Sequence, residues 1–393
     1  MKKMRFRLTA LLMMAVMLCG CADSQHMSAE QDSVAVTTEQ NVDGLYPAVG
    51  KKICIGVIYN GDPETGTGYS YAHWAGIKKM QKQLGLTDSQ IISRSSISES
   101  DDTAIEEAFH ELIQAHCNII FATSVGFMDI CRTYAMKYPD TVFAVCSGTQ
   151  SNGSNLVNYF GRLYEARYLS GMIAGMNTKT DRVGFVAAKG LKSSEVTGSV
   201  NAFALGVNAV NKKCRVLVCC TESWNDPDAE TAAAEQLMDG GCDILAQHCD
   251  SPATQLAAAR AGIMGIGYNS DMQEVAPHSV LTSVVWDWSV YYTDAVEKIM
   301  NGTWKGYNYY GGIQDGLVNI TDPESFGLPG GKEKIEQARA DILSGKLKIF
   351  SGELKTNDGQ IRGKSGKVMS ETQIRKRMNW YYQNVESVNL LRK

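Results

Sequence analysis

Asn60, Thr123, Ser124, Trp224, Asp250, Asn269 and Asp271 stand at or just beyond the ends of short apolar runs. Ser147, Lys189, Ser251 and Ser270 hold comparable places. In an open parallel sheet, ligands bind at the carboxyl ends of the strands. Small polar and aromatic side chains there suit reversible hydrogen bonding and stacking of a flat, neutral molecule. The stretch 68–74 adds Tyr69, Ser70 and Tyr71 at an expected helix start, where free backbone N–H donors lie beside ring faces. Trp224 precedes an Asp-Pro helix start and offers a second ring; for both Tyr69 and Trp224 the competing role is core packing. Trp286 and Trp288, two apart after a strand, are expected to divide these roles, one facing the cleft and one packing.

The residues for covalent or metal chemistry lack the required spacing. There is no Gly-x-Ser-x-Gly, His-Glu-x-x-His or Gly-x4-Gly-Lys-Ser/Thr, and the six histidines form no ligand or triad pattern. Gly66-Thr67-Gly68 ahead of a helix is read as a tight turn, because Tyr71 stands where a dinucleotide loop needs its third glycine. Nine cysteines follow Cys21, without a Cys-x-x-Cys pair. An odd count in an exported chain argues against a disulfide framework, and several fall within strands as small buried hydrophobes, the Cys219-Cys220 pair included. No catalytic residue, metal or cofactor is expected, and the chain is read as a non-enzyme.

The elements that must position these residues alternate. Strands are expected at 53–59, 117–123, 142–146, 183–187, 215–220, 244–248, 265–268 and 281–285. Helices are expected at 70–83, 128–137, 162–176, 194–211, 226–239, 252–262 and 289–301. Such alternation implies α/β architecture with parallel sheets, here two doubly wound Rossmann-like lobes joined by a hinge. The first lobe is assigned to 51–150 with a return segment at about 283–306. The second takes 151–282 with about 307–346, and 347–393 is read as a polar, irregular extension packed on the second lobe.

The chain begins with Lys2, Lys3, Arg5 and Arg7, then an apolar run too short to span a bilayer. Leu18-Cys19-Gly20-Cys21 has the form of a lipobox, so residues 1–20 are expected to be a lipoprotein signal and Cys21 the lipidated residue. Residues 21–50, polar and aperiodic, are expected to be a flexible tether. Loss of the signal moves the net charge from −4 to −8, which disfavours a nucleic-acid partner. The expected location is the extracytoplasmic face of a cell membrane.

An ordered set of blocks carries a resemblance over roughly residues 51–320. It comprises the 53–59 strand with the 68–76 helix start, Phe121-Ala122-Thr123-Ser124, Tyr138-Pro139-Asp140, Tyr159-Phe160-Gly161-Arg162 and Arg167-Tyr168-Leu169-Ser170-Gly171. Arg182-Val183-Gly184-Phe185-Val186, the 223–227 stretch, Gly267-Tyr268-Asn269-Ser270-Asp271 and Leu281-Thr282-Ser283 complete it. The chain resembles the basic membrane protein family of lipoproteins, substrate-binding components of ABC importers whose best-known members bind purine nucleosides. The resemblance implies a type I periplasmic-binding-protein fold and, as partners, a permease with its ATPase subunits. In the family's nucleoside binders an Asp closes the first strand and a Phe lies nine positions later; here these places hold Asn60 and Tyr69. The family's Asp-x-Asp stands as Asn269-x-Asp271, and a lysine after the Thr-Ser of the return strand is replaced near Trp286. These departures weaken the grip on a ribose and point to a free purine base or related heterocycle as well as a nucleoside.

The reading is therefore a lipid-anchored solute-binding protein that closes on a purine. The expected ligand-binding set is Asn60, Tyr69, Ser70, Tyr71, Thr123, Ser124, Trp224, Asp250, Asn269, Asp271 and Trp286. A ligand-sensing module for a membrane receptor would share this fold and site. A nucleoside hydrolase would need a positioned carboxylate or metal; Asp250 and Asp271 could serve in principle, yet no metal constellation accompanies them.

Overall fold

The computed structural model describes residues 46–391, so the expected leader, Cys21 and most of the expected tether lie outside the described residues. The last five residues assigned to that tether are docked: Tyr46 donates its hydroxyl to the Pro139 carbonyl at 2.7 Å.

Five strands open the chain: β1 (Ile55–Ile58), β2 (Ile91–Arg94), β3 (Ile119–Ala122), β4 (Val142–Cys146) and β5 (Leu156–Gly161). Helices α1 (Gly68–Leu84), α2 (Asp102–Gln114) and α3 (Met128–Lys137) lie between them. Then follow α4 (Leu163–Asn177), β6 (Arg182–Ala187), α5 (Ser194–Val210), β7 (Arg215–Cys220), α6 (Pro227–Asp239) and β8 (Ile244–His248). After these come α7 (Ala253–Arg260), β9 (Met264–Asn269), β10 (Val280–Trp286), α8 (Ser289–Met300), β11 (Tyr309–Gly311) and β12 (Val318–Ile320). The chain continues through α9 (Gly331–Leu343), β13 (Ser351–Lys355), β14 (Ile361–Val368), α10 (Glu371–Lys376) and β15 (Val385–Val388).

The first sheet runs β11-β5-β4-β3-β1-β2 and is wholly parallel. The second runs β12-β10-β9-β8-β6-β7-β15, parallel except where β12 meets β10. The inner strands of the first sheet are apolar on both faces, as a sheet covered by helices on each side requires; all of β1, β3, β4 and β5 is buried. Helix starts are fixed locally. Asp101, Ser193 and Asp226 accept the N–H groups of Ala104, Val196 and Ala229, and Pro227 occupies the first turn of α6.

The chain passes between the sheets three times: from β5 to α4, from β10 to α8, and from β11 to β12. Helix α8 packs on α1 of the first lobe. These crossings differ from the expected boundaries. The polar segment before β5 has the composition of a linker, yet Asn155 donates to the carbonyls of Ala135, Tyr138 and Thr141 and pins β5 to the first sheet. The first lobe thus extends to residue 161, and the return segment is α8 with β11 rather than 283–306. The stretch after 347, expected to be irregular, carries a hairpin (β13–β14), α10 and β15, and β15 adds an edge strand beside β7. Strand β2 was absent from the expected pattern; it is a four-residue edge strand, only partly buried, with a weak apolar signal.

Candidate functional site

In the first lobe, Asn60 follows β1 and is held from two sides. Its Oδ1 accepts the Ser70 hydroxyl at 3.1 Å, and its Nδ2 donates to Glu99 Oε1 at 2.9 Å. The Ser124 hydroxyl donates to the same Glu99 oxygen at 2.5 Å. Tyr69, at the first turn of α1, donates its hydroxyl to the Thr123 carbonyl at 2.6 Å and lies 3.2 Å from Cys146 Sγ. Burial pushes this phenol well above its ordinary range, so it stays a donor. The Thr123 hydroxyl is spent on the Ile58 carbonyl.

In the second lobe, the Asp250 N–H donates to the Trp224 carbonyl at 2.8 Å, which ties two strand-end loops together. Asn269, in the left-handed region at φ 70°, donates Nδ2 to Asp250 Oδ1 at 2.9 Å. Its buried Oδ1 meets no donor. Burial raises the Asp250 carboxyl to about 7 against the Asn269 hydrogen bond, with Glu195 and Glu99 adding to the rise.

These two sets face each other. A cavity of about 320 Å³ is lined from the first lobe by Asn60, Tyr69 and Ser70 and from the second by Trp224, Asp250 and Ser251. The lobes meet at one side of its rim: Thr67 Oγ1 lies 3.1 Å from Ser270 Oγ, and Gly68 meets the second lobe at φ 86°. A Cβ on Gly68 would come within 2.6 Å of the Asp250 carbonyl. Tyr71, Asn269, Asp271 and Trp286 line a separate hollow of about 290 Å³ nearer the hinge. Tyr71 there stacks on Trp74, with ring centroids 5.7 Å apart. Trp286 and Trp288 stack at 4.4 Å, and Trp288 in turn stacks on His73 at 4.4 Å. Trp288 is fully buried, whereas Trp286 reaches the hollow. The expected residues are therefore split between two hollows, and Thr123 and Ser124 line neither of them.

Several charged residues of the cleft were not anticipated. Glu195, in the first turn of α5, lies 3.6 Å from His248 Nε2. Burial raises its carboxyl to about 7, opposed by Arg375 and Arg167. Arg167 is completely buried between the rings of Tyr268 and Phe185, at 4.4 and 5.4 Å. Burial first, and Arg167 second, keep His248 neutral. A smaller hollow of about 100 Å³ joins Ser147, Phe160 and Tyr310 to Glu195, Ser199 and Arg375. Arg375 reaches it from α10 and lies 4.3 Å from the Tyr310 ring centre. The sequence carried one usable signal for Glu195, its place just inside a Ser-capped helix that follows a strand. Glu99 and Arg375 lie in segments whose elements were not recognised.

The arrangement offers hydrogen-bond donors, acceptors and ring faces on two closing walls. Among the described residues no cluster of three or more His, Cys, Asp or Glu is arranged to hold a metal ion. No helix among them is long and apolar enough to cross a membrane.

The family model described as "ABC transporter substrate-binding protein PnrA-like" matches residues 52–351. A purine-binding protein of Brucella abortus is 35% identical over 298 residues, 76% of this chain and 83% of that one. A protein of Haloferax volcanii named as an ABC transporter glucose-binding protein is 32% identical over 304 residues, 76% of this chain and 75% of that one. A solved ABC transporter solute-binding protein from Aeropyrum pernix superposes with TM-score 0.63 at 16% identity, covering 75% of this chain and 92% of that one. The fold is thus that of the periplasmic solute-binding proteins, and the matched family consists of binding proteins rather than enzymes.

Proposed function

The chain belongs to the PnrA-like family of ABC transporter substrate-binding proteins, and from that premise we propose that it captures a purine base or nucleoside for an importer while tethered by lipid at Cys21. The supporting observation is the 320 Å³ cavity that Tyr69 lines from the first lobe and Trp224 and Asp250 line from the second. A purine presents two flat faces and an edge of N–H donors and ring acceptors. Tyr69 and Trp224 would cover the faces, each stack contributing about 1–3 kcal/mol. The Asp250 carboxyl would receive an N–H group from the edge. An analogue leaving this buried acceptor unpaired would be rejected, because an unsatisfied buried polar group costs about 1–3 kcal/mol.

The relative named for purines favours this ligand. Asn60, in the place of the family's strand-closing Asp, already has its amide engaged by Glu99 and Ser70, which favours a base over a ribose at that end. Binding would proceed by hinge closure of the two lobes, with transport energy supplied by the partner ATPase. One mass-spectrometric experiment tests anchor and ligand together on protein extracted from its native membrane. The intact mass should show a lipid on Cys21, and denaturation should release a purine base or nucleoside. Release of a sugar or amino acid would refute the ligand assignment, and an unmodified Cys21 would refute the anchor.

A further inference from the structure

Cys54 stands immediately before β1 and Cys117 two residues before β3, neighbouring strands of the first sheet, and their Sγ atoms are 3.4 Å apart. The backbone holds them there from both sides. The Asn118 N–H donates to the Cys54 carbonyl at 2.8 Å, and the Cys54 N–H donates to Asn118 Oδ1 at 2.9 Å. We propose that these two thiols form a reversible disulfide, a redox-sensitive staple of the first lobe, whereas the other described cysteines are free thiols. A disulfide needs its sulfurs at about 2.05 Å, so closure asks for a movement of only about 1.4 Å.

The other described cysteines do not share these features. Cys131, Cys146, Cys214, Cys219, Cys242 and Cys249 are buried. Cys220 is partly exposed, but burial raises its thiol. Adjacent residues of a strand point to opposite faces, so Cys219 and Cys220 are not placed to pair. Cys54 is the partly exposed member of its pair, and the hydrogen bond with Cys117 lowers its thiol to about 7. It is therefore the nucleophile, and the buried Cys117 resolves.

With glutathione disulfide as oxidant, the Cys54 thiolate attacks one sulfur and expels a glutathione thiolate, leaving a mixed disulfide. Cys117 then loses its proton and attacks Cys54 Sγ, expelling the second glutathione thiolate. Two protein thiols are oxidised and one small disulfide is reduced. The pair lies at the amino ends of its strands, whereas Asn60 and Thr123 lie at the carboxyl ends, so the staple forms independently of whatever the cleft binds.

The test is peptide mapping of the full chain after exposure to glutathione disulfide. The expected result is a cross-linked peptide joining Cys54 to Cys117, lost on treatment with dithiothreitol. In Cys117→Ser the glutathione adduct on Cys54 should accumulate, because the resolving thiol is gone. In Cys54→Ser, Cys117 should stay unmodified. Reduced Cys54 and Cys117 in the oxidised wild type, or a cross-link mapping to another pair, would overturn the proposal even if a variant failed to fold.

Discussion

Trp224 offers its ring to the cavity with 36% of its surface exposed, and its backbone carbonyl, not its side chain, holds Asp250 in place. Removing the ring should therefore cost binding more than folding. Trp224→Ala is expected to weaken purine affinity roughly ten-fold or more, the scale of a lost base–aromatic stack, with a nearly unchanged melting temperature. A large fall in melting temperature with affinity intact would make Trp224 a packing residue. Asp250 and Glu195 carry a pH signature. Both carboxyls are raised to about 7 in the fold by burial, from ordinary values of 3.8 and 4.5. The folded chain then keeps protons that the unfolded chain has lost, so their contribution to stability is full below about pH 4 and is lost as pH rises through 7. The melting temperature of the ligand-free protein should decline between about pH 5 and 8, and Asp250→Asn with Glu195→Gln should flatten that decline. An unchanged slope would place the two carboxyls outside the enclosed cleft. Asp250 was legible because it ends an apolar strand. Glu195 and Arg167 were not read as cleft residues, because a helical charge has the same sequence signature whether it meets solvent or a closing lobe.

Helix α1 sets how closely the lobes approach. Gly68 at its start adopts φ 86°, and a Cβ there would stand 2.6 Å from the Asp250 carbonyl; Gly66, at φ 77°, has no atom within 4 Å of such a Cβ. Both positions strain an L side chain, but only Gly68 opposes closure. Gly68→Ala should therefore lose clearly more affinity in equilibrium titration than Gly66→Ala. Equal losses would mean that the Gly68 contact does not limit closure. The long alternating elements were readable from apolar periodicity, and α1 starts two residues before its expected limit. Short or atypical elements were not. Strand β5 follows β4 without an intervening helix, which disguised it as the opening of a second lobe. The hairpin strand β14 is exposed along its whole length, so burial leaves no period-two pattern in its sequence.

At the scale of the molecule, two parallel sheets with three crossings make a hinged pair of walls, and the family match ends at residue 351. The chain beyond it adds β15 to the second sheet and brings Arg375 of α10 over Tyr310 of the first, so the segment expected to pack on the second lobe also touches the first. The two-lobe architecture was legible because alternating strands and helices of this length admit few topologies. The return of α8 to the first lobe was legible too, but the places of β5 and β11 in the first sheet were not, since they depend on pairings distant in sequence. The central claim is that these walls close on a purine. Isothermal titration calorimetry of ligand-stripped protein against adenine, guanine, hypoxanthine, their nucleosides, pyrimidines, glucose and amino acids tests it most directly. Saturable one-to-one binding of at least one purine base or nucleoside is expected, with none of glucose or amino acids. Binding of glucose with no heat from any purine would contradict it.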